Sequence, residues 1–168
     1  MKPIFLTGFM GSGKSTVGRA LAAQLGRSFL DADAFFAQET GLEPTFYIKR
    51  FGIDPFRKSE KIFLRKILAN PPGILSTGGG AVIDPLNRSL LMQKGFVVWI
   101  YSPLPQVLAR LNHRPLPPML TKPITLENLQ KLFDFRKPFY QKCHLKVTNH
   151  FKNPQEVAKE IVEVYATI

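Results

Sequence analysis

The chain has 168 residues, 45% hydrophobic and 21% charged, with a net charge of +11. That apolar share in a chain of one domain's length excludes a largely disordered protein. A lone cysteine, Cys143, excludes an internal disulfide scaffold and fits a reducing, cytoplasmic setting.

Ile4 to Thr7 predicts a buried strand, ended by the glycines that follow. From Lys14 to Gln24 the spacing of Val17, Leu21 and Leu25 predicts a helix, with Gly26 as its stop. Ser28 to Asp31 reads as a second short strand. Pro55 to Ala69 predicts a helix whose apolar members are Phe56, Ile62, Phe63, Ile67 and Leu68. Gly73 to Ser76 is a third strand, bounded by Pro71-Pro72 and Gly78-Gly79-Gly80. Phe96 to Tyr101 is a fourth strand and the longest strongly apolar run. It is far short of the ~20 residues that cross a bilayer. The N-terminal residues lack the pattern of a secretory signal, so no membrane partner is expected. Leu104 to Leu111 and Leu126 to Tyr140 predict helices, and Leu145 to Thr148 a fifth strand. Pro154 to Tyr165 closes the chain as a helix with Asn153 at its cap and Pro154 at its first position. Strands with no polar face, alternating with helices, imply a parallel sheet covered on both sides. The expected fold is a three-layer α/β sandwich forming one domain over residues 1–168. Residues 112–125, NHRPLPPMLTKPIT, break the pattern with four prolines and predict a lid-like loop.

The basic excess is concentrated. Residues 86–152 hold eleven Lys and Arg against only Glu127 and Asp134. Such a stretch favours an anionic partner, either nucleic acid or the phosphates and carboxylates of small molecules. No aromatic RNP-type motif and no recognition-helix signature accompanies it, so a basic nucleic-acid-binding module is the weaker reading.

Gly8-Phe9-Met10-Gly11-Ser12-Gly13-Lys14-Ser15 matches GxxxxGK[ST], between a buried strand and an amphipathic helix. Glycines let the backbone curl until several N–H groups converge on a polyphosphate, and the helix N-terminus adds its partial positive charge. Lys14 is placed to reach the β- and γ-phosphates and Ser15 to ligate Mg²⁺, with Gly11, Ser12, Gly13 and Thr16 completing the cradle. The loop implies a nucleoside triphosphate. One small domain without a guanine-reading NKxD motif points to a small phosphotransferase.

Four further groups are candidates: three lie at strand ends, where parallel sheets bind ligands, and Arg57 with Glu60 lies at the start of a helix. Asp31 could hold a Mg²⁺-bound water and Asp33 a substrate hydroxyl; Asp33 could equally cap a helix beginning at Ala34. Arg57 could grip a carboxylate, steered by Glu60 three residues on, or the two could form an exposed ion pair. Gly78, Gly79 and Gly80 permit close backbone approach to a ligand, or form a loose turn. Ser76 could reach the metal's water shell.

The ordered set GFMGSGKST, DAD, FRKSE, STGGGAV, RPL and FRKPFY resembles the shikimate kinase family over nearly the whole chain. The resemblance implies a P-loop, nucleoside-monophosphate-kinase-like fold with parallel strand order 2-3-1-4-5. It also implies transfer of the ATP γ-phosphoryl group to the 3-hydroxyl of shikimate, with Mg²⁺ as cofactor and a monomeric enzyme. A substrate-binding region over about 33–61 and a lid over about 112–125 follow from it.

Residue by residue, the resemblance assigns Lys14 and Ser15 to phosphate and metal, and Asp31 and Ser76 to the metal through water. It assigns Asp33 to the shikimate hydroxyls and the departing proton, and Arg57 and Arg136 to the shikimate carboxylate. Gly79 and Gly80 contact substrate through backbone, Arg114 approaches the γ-phosphate, and Arg110 lies by the adenine. Two positions depart from the family pattern. Gly52-Ile53 stands where Gly-Glu is usual, and about Phe151 stands where a basic residue usually faces adenine, so a phenyl ring stacked on the base is expected. The rival kinases of the same fold fit less well. Gluconate kinases carry an HP-containing stretch after the loop that this chain lacks, and adenylate-type kinases carry GKGT where this chain has GKST.

Overall fold

The computed structural model describes residues 2–113 and 124–167. The expected position of Arg114, with Pro115, Pro117, Pro118 and Pro123, lies outside the described residues. Five strands, β1 (Ile4–Thr7), β2 (Phe29–Asp31), β3 (Ile74–Ser76), β4 (Phe96–Tyr101) and β5 (Leu145–Thr148), form one sheet in the order β2-β3-β1-β4-β5, every pairing parallel. The α/β sandwich and its strand order are therefore as expected.

Eight helices surround the sheet among the described residues: α1 (Lys14–Leu25), α2 (Ala32–Thr40), α3 (Pro44–Phe51), α4 (Ile53–Ala69), α5 (Pro85–Lys94), α6 (Leu104–Leu111), α7 (Leu126–Tyr140) and α8 (Pro154–Tyr165), with a 3₁₀ turn at Ala81–Ile83. The inner strands β1, β3 and β4 are buried on both sides because each side has its own core. Ile4 and Leu6 join Val98, Ile100 and the α1 residues Val17 and Leu21 in one cluster, against α8. Phe5 joins Val97, Trp99 and the α4, α5 and α7 residues Leu64, Leu91 and Leu129 in the other. Alternation of side chains along each strand sends successive residues to opposite layers. Each aliphatic side chain fully buried this way contributes about 1.5–3 kcal/mol of transfer free energy.

The structure alters several local expectations. Helices α2, α3 and α5 go beyond what the apolar pattern predicts. The α5 start has a readable signal: Asp84 caps it through a 2.9 Å bond from the Asn87 N–H, and Pro85 takes the first position. Helix α3 has Pro44 at its first position and Gly52 at its end, but none of its residues is buried, so no apolar pattern marks it. In α4, Ile62 points to solvent and Leu64 takes its place in the core. The helix also begins at Ile53, ahead of Pro55, because proline is tolerated in a first turn. The residue that caps α2 is Asp31, not Asp33. Its Oδ1 accepts from the N–H of Asp33 at 3.0 Å and of Ala34 at 3.4 Å. The chain is thus already helical at Asp33, whose carboxylate is left free of capping duty.

Register explains how the site assembles. Ser76 pairs with Leu6 on one side and with Asp31 on the other. Inserting β3 between β1 and β2 therefore sets the phosphate loop, Ser76 and the acidic pair along one edge, at the carboxyl ends of the strands.

Candidate active site

The loop after β1 has the geometry that its glycines predict. Gly13 has φ +95°, in the left-handed region, and a Cβ there would stand 2.5 Å from Asn149 Nδ2. No other residue fits both the dihedral and the space. The same Asn149 Nδ2 donates to Ser12 O at 2.8 Å, and Arg110 Nη1 donates to Gly11 O at 2.9 Å. Both brace the loop from outside. Asn149 has no motif signal. It is found only because the end of β5 lies beside β4, bringing it across the sheet.

Lys14 is buried, and its Nζ donates to the carbonyls of Gly8 at 2.9 Å and Phe9 at 3.0 Å. Burial draws its pKa down to about 8, while Asp33 and Asp31 pull it back up. Ser15 Oγ lies 3.4 Å from Ser76 Oγ. Together with Lys14, Gly13 and Asp33 these residues line a cleft of about 530 Å³, walled farther out by Arg110 and Lys152. Thr16 also lines it.

A hard dication suits this donor set. Two serine hydroxyls sit within reach of each other, and Asp31 is the register partner of Ser76 on the next strand. Among the described residues no group of three or more His, Cys, Asp or Glu could hold a metal alone. Mg²⁺ is ordinarily held by one or two protein oxygens plus phosphate and water, so the residues present fit it.

A smaller pocket of about 110 Å³ opens beside the cleft, and Met10, Asp33 and Gly79 line both. Its walls come from α2, α3, α4, the glycine turn and α7. Arg57 donates to Glu60 at 2.5 Å across one helical turn, and Glu60 is largely buried, so this is not an exposed surface pair. Burial raises the Glu60 pKa, and Arg57 works against that rise. A Cβ on Gly80 would collide with the Arg57 guanidinium, so glycine here is what lets the turn and α4 approach. The 3₁₀ turn that follows the glycines is held by α5: Asn87 Nδ2 donates to Ala81 O, and Arg88 Nη1 donates to the carbonyls of Val82 and Ile83.

Arg136, 3% exposed, enters from α7, with its guanidinium 5.7 Å from the Phe9 ring centroid. Burial lowers its pKa, and the charge of Arg57 lowers it further. Two guanidinium groups thus face one small pocket and destabilise each other there. Asp33 is open to the water of the cleft. The protein walls around it nonetheless desolvate its carboxylate, and with the charge of Asp31 this pushes the pKa up to about 6.

The structure therefore brings Gly11, Gly13, Lys14, Ser15, Thr16, Asp33, Arg57, Ser76, Gly78, Gly79, Gly80, Arg110 and Arg136 to two adjoining cavities. Ser12 is buried behind the loop and Asp31 caps α2, so neither lines them. Phe151 is not among the residues that line them. Phe151 is 84% exposed at φ +53°, with its ring 4.4 Å from that of His150, and the cleft wall there is Lys152 and Pro154. Arg114 lies outside the described residues.

Residues 10–166 match the family model described as shikimate kinase. Among curated relatives, the shikimate kinase of Paramagnetospirillum magneticum is 37% identical over 162 residues, covering 96% of this chain and 83% of that one. The shikimate kinase of Caldicellulosiruptor bescii is 32% identical over 98% of this chain and 96% of its own. Among solved structures, shikimate kinase from Acinetobacter baumannii in complex with shikimate superposes with a TM-score of 0.94 at 32% identity, covering 99% of this chain and 94% of that one. A gluconokinase from Sinorhizobium meliloti shares the fold alone, at 18% identity and a TM-score of 0.61.

Proposed function

This chain belongs to the shikimate kinase family, and on that premise we infer that it transfers the γ-phosphoryl group of ATP to the 3-hydroxyl of shikimate, giving shikimate 3-phosphate and ADP on the route to chorismate and the aromatic amino acids. The observation that carries the substrate assignment is the pair Arg57 and Arg136, two partly desolvated guanidinium groups facing a pocket that adjoins the phosphate loop. A carboxylate between them relieves their mutual repulsion and accepts the planar forks that guanidinium groups offer.

The remaining roles follow from position. The loop amides and Lys14 hold the polyphosphate, Lys14 exchanging the Gly8 and Phe9 carbonyls for phosphate oxygens. Ser15 would hold Mg²⁺ directly, and Ser76 and Asp31 would hold it through water. When bound, Mg²⁺ neutralises phosphate charge. Asp33 accepts the proton of the 3-hydroxyl, and its pKa of about 6 suits that task near neutral pH. As the acceptor oxygen bonds to the γ-phosphorus, the bond from phosphorus to the β–γ bridging oxygen breaks, and ADP leaves with that electron pair. Phosphoryl transfer needs alignment and charge neutralisation more than covalent chemistry, which is what these side chains supply. Arg110 lies along the nucleotide. The family resemblance assigns Arg114 to the transferring phosphoryl group. The family resemblance also implies a monomeric enzyme.

The test is ADP release with Mg²⁺ and ATP, measured with shikimate, with gluconate and with no acceptor. Shikimate should stimulate release strongly and the others should not. Stimulation by gluconate instead would overturn the assignment.

A further inference from the structure

The phosphotransfer reading leaves Tyr140 unused. It is the last residue of α7, four positions after Arg136 and so on the same helical face. It is 1% exposed, and its ring stacks on Trp99 with centroids 5.9 Å apart at 25°. A tyrosine so deeply placed must satisfy its hydroxyl locally. Here the hydroxyl donates to the Gly79 carbonyl at 2.5 Å. It also hydrogen-bonds to Arg136. Guanidinium groups can only donate, so the order is fixed: an Arg136 N–H donates to the Tyr140 oxygen, and the Tyr140 O–H donates to Gly79. Arg136 Nη1 lies 3.5 Å from the same carbonyl oxygen. Burial pushes the Tyr140 hydroxyl up to about 12, so it stays protonated and keeps donating across the working range.

The consequence runs through the backbone. The carbonyl of Gly79 and the N–H of Gly80 belong to one planar peptide and point in opposite directions. Anchoring that carbonyl on Tyr140 turns the Gly80 N–H away from Tyr140. Glycine has no side chain to fix this peptide, so an outside hydrogen bond must. Gly79, Gly80 and Arg136 all line the acceptor pocket, whereas Tyr140 does not reach it.

We propose that Tyr140 is a positioning residue for the acceptor: its hydroxyl joins the Arg136 guanidinium and the Gly79–Gly80 peptide into one unit that holds the acceptor's carboxylate end. This rests on the assignment of Arg136 to the shikimate carboxylate.

Tyr140→Phe removes one oxygen and keeps the ring on Trp99. Loss of one buried bond, leaving Arg136 and Gly79 to find new partners, corresponds to about tenfold in affinity. The shikimate KM should therefore rise about tenfold while kcat and the ATP KM stay within about twofold to threefold. ADP affinity and Tm are measured alongside, because a merely structural role would lower Tm and disturb both substrates alike. A shikimate KM within twofold of the parent's, or an equal rise in both KM values, overturns the proposal.

Arg136→Lys separates the two levels. If it leaves the shikimate KM unchanged, the carboxylate assignment itself has failed. If it raises that KM while Tyr140→Phe does not, only the positioning role has failed. The double variant should show less than the product of the two single effects, since both break one chain of bonds. A full product overturns the coupling.

Discussion

At the donor end of the cleft, the phosphate-binding groups come from one run of residues, Gly8 to Thr16, between β1 and α1. At the acceptor end, Asp33, Arg57, Gly80 and Arg136 come from α2, α4, the glycine turn and α7. On the proposed reading the donor end binds chiefly with main-chain amides, whose directions are set by glycine dihedrals and by a helix start. The acceptor end binds with side chains whose positions depend on how distant elements pack. The first is a local device that recurs wherever a polyphosphate is held. The second, as proposed, suits one acceptor, and its precision rests on supports such as Glu60 on Arg57 and α5 on the 3₁₀ turn that follows the glycines.

The largest effect expected is at the donor end. Lys14→Ala should lower turnover about a thousandfold, the scale seen when a group acting on transition-state charge is lost. Tm should change little. The folded state holds the Lys14 proton less tightly than the unfolded chain does, with a pKa of about 8 against 10.5. Stability should thus rise as pH goes from about 8 toward 10.5, and Lys14→Ala should flatten that rise in a denaturant titration. Near-normal activity would break the account of the donor end.

At the acceptor end, Arg136→Ala should raise the shikimate KM about a hundredfold, as expected from losing two charge-assisted bonds, and leave the ATP KM nearly unchanged. Equal effects on both would erase the division between the ends. Gly80→Ala should act on the same side by pushing the Arg57 guanidinium out of place. The shikimate KM should rise about tenfold, since small misplacements of a binding group are costly. An unchanged shikimate KM would detach the glycine turn from the placing of Arg57. The pH profile sharpens the role of Asp33. Below about pH 6 its carboxyl is protonated and cannot take a proton, so kcat/KM for shikimate should fall about tenfold per pH unit. A profile flat down to about pH 5 would remove Asp33 as proton acceptor.

The smallest effect concerns Phe151. A non-glycine residue at φ +53° costs about 1 kcal/mol, so Phe151→Gly should raise Tm by about 2–4 °C. Standing outside the cleft wall, it should leave the ATP KM within twofold. A severalfold rise would restore the phenyl ring to the adenine site.

The same division explains what the sequence makes legible. The phosphate loop and every strand can be read directly, because both depend on local pattern: glycine spacing, and apolar runs bounded by turns. The acceptor set cannot be read from spacing alone. Arg57 and Glu60 look as much like a surface pair as a carboxylate clamp, and only the packing of α4 against the glycine turn buries Glu60. Arg136 is reached through the family resemblance, since an arginine in a helix has no local mark of being 3% exposed. Between cap and ligand the sequence leaves Asp33 evenly placed, and the structure divides the work by capping α2 with Asp31. Asn149 and Tyr140 have no independent signal, because each acts on a carbonyl far away in the chain.

The most direct test of the two-guanidinium pocket is a comparison of shikimate with its methyl ester as acceptors under saturating Mg²⁺ and ATP. The ring and its hydroxyl groups are retained, and only the negative charge is removed. The account predicts that kcat/KM falls about a hundredfold or more for the ester, with phosphate still going to the 3-hydroxyl of shikimate. Comparable kcat/KM for acid and ester would contradict it.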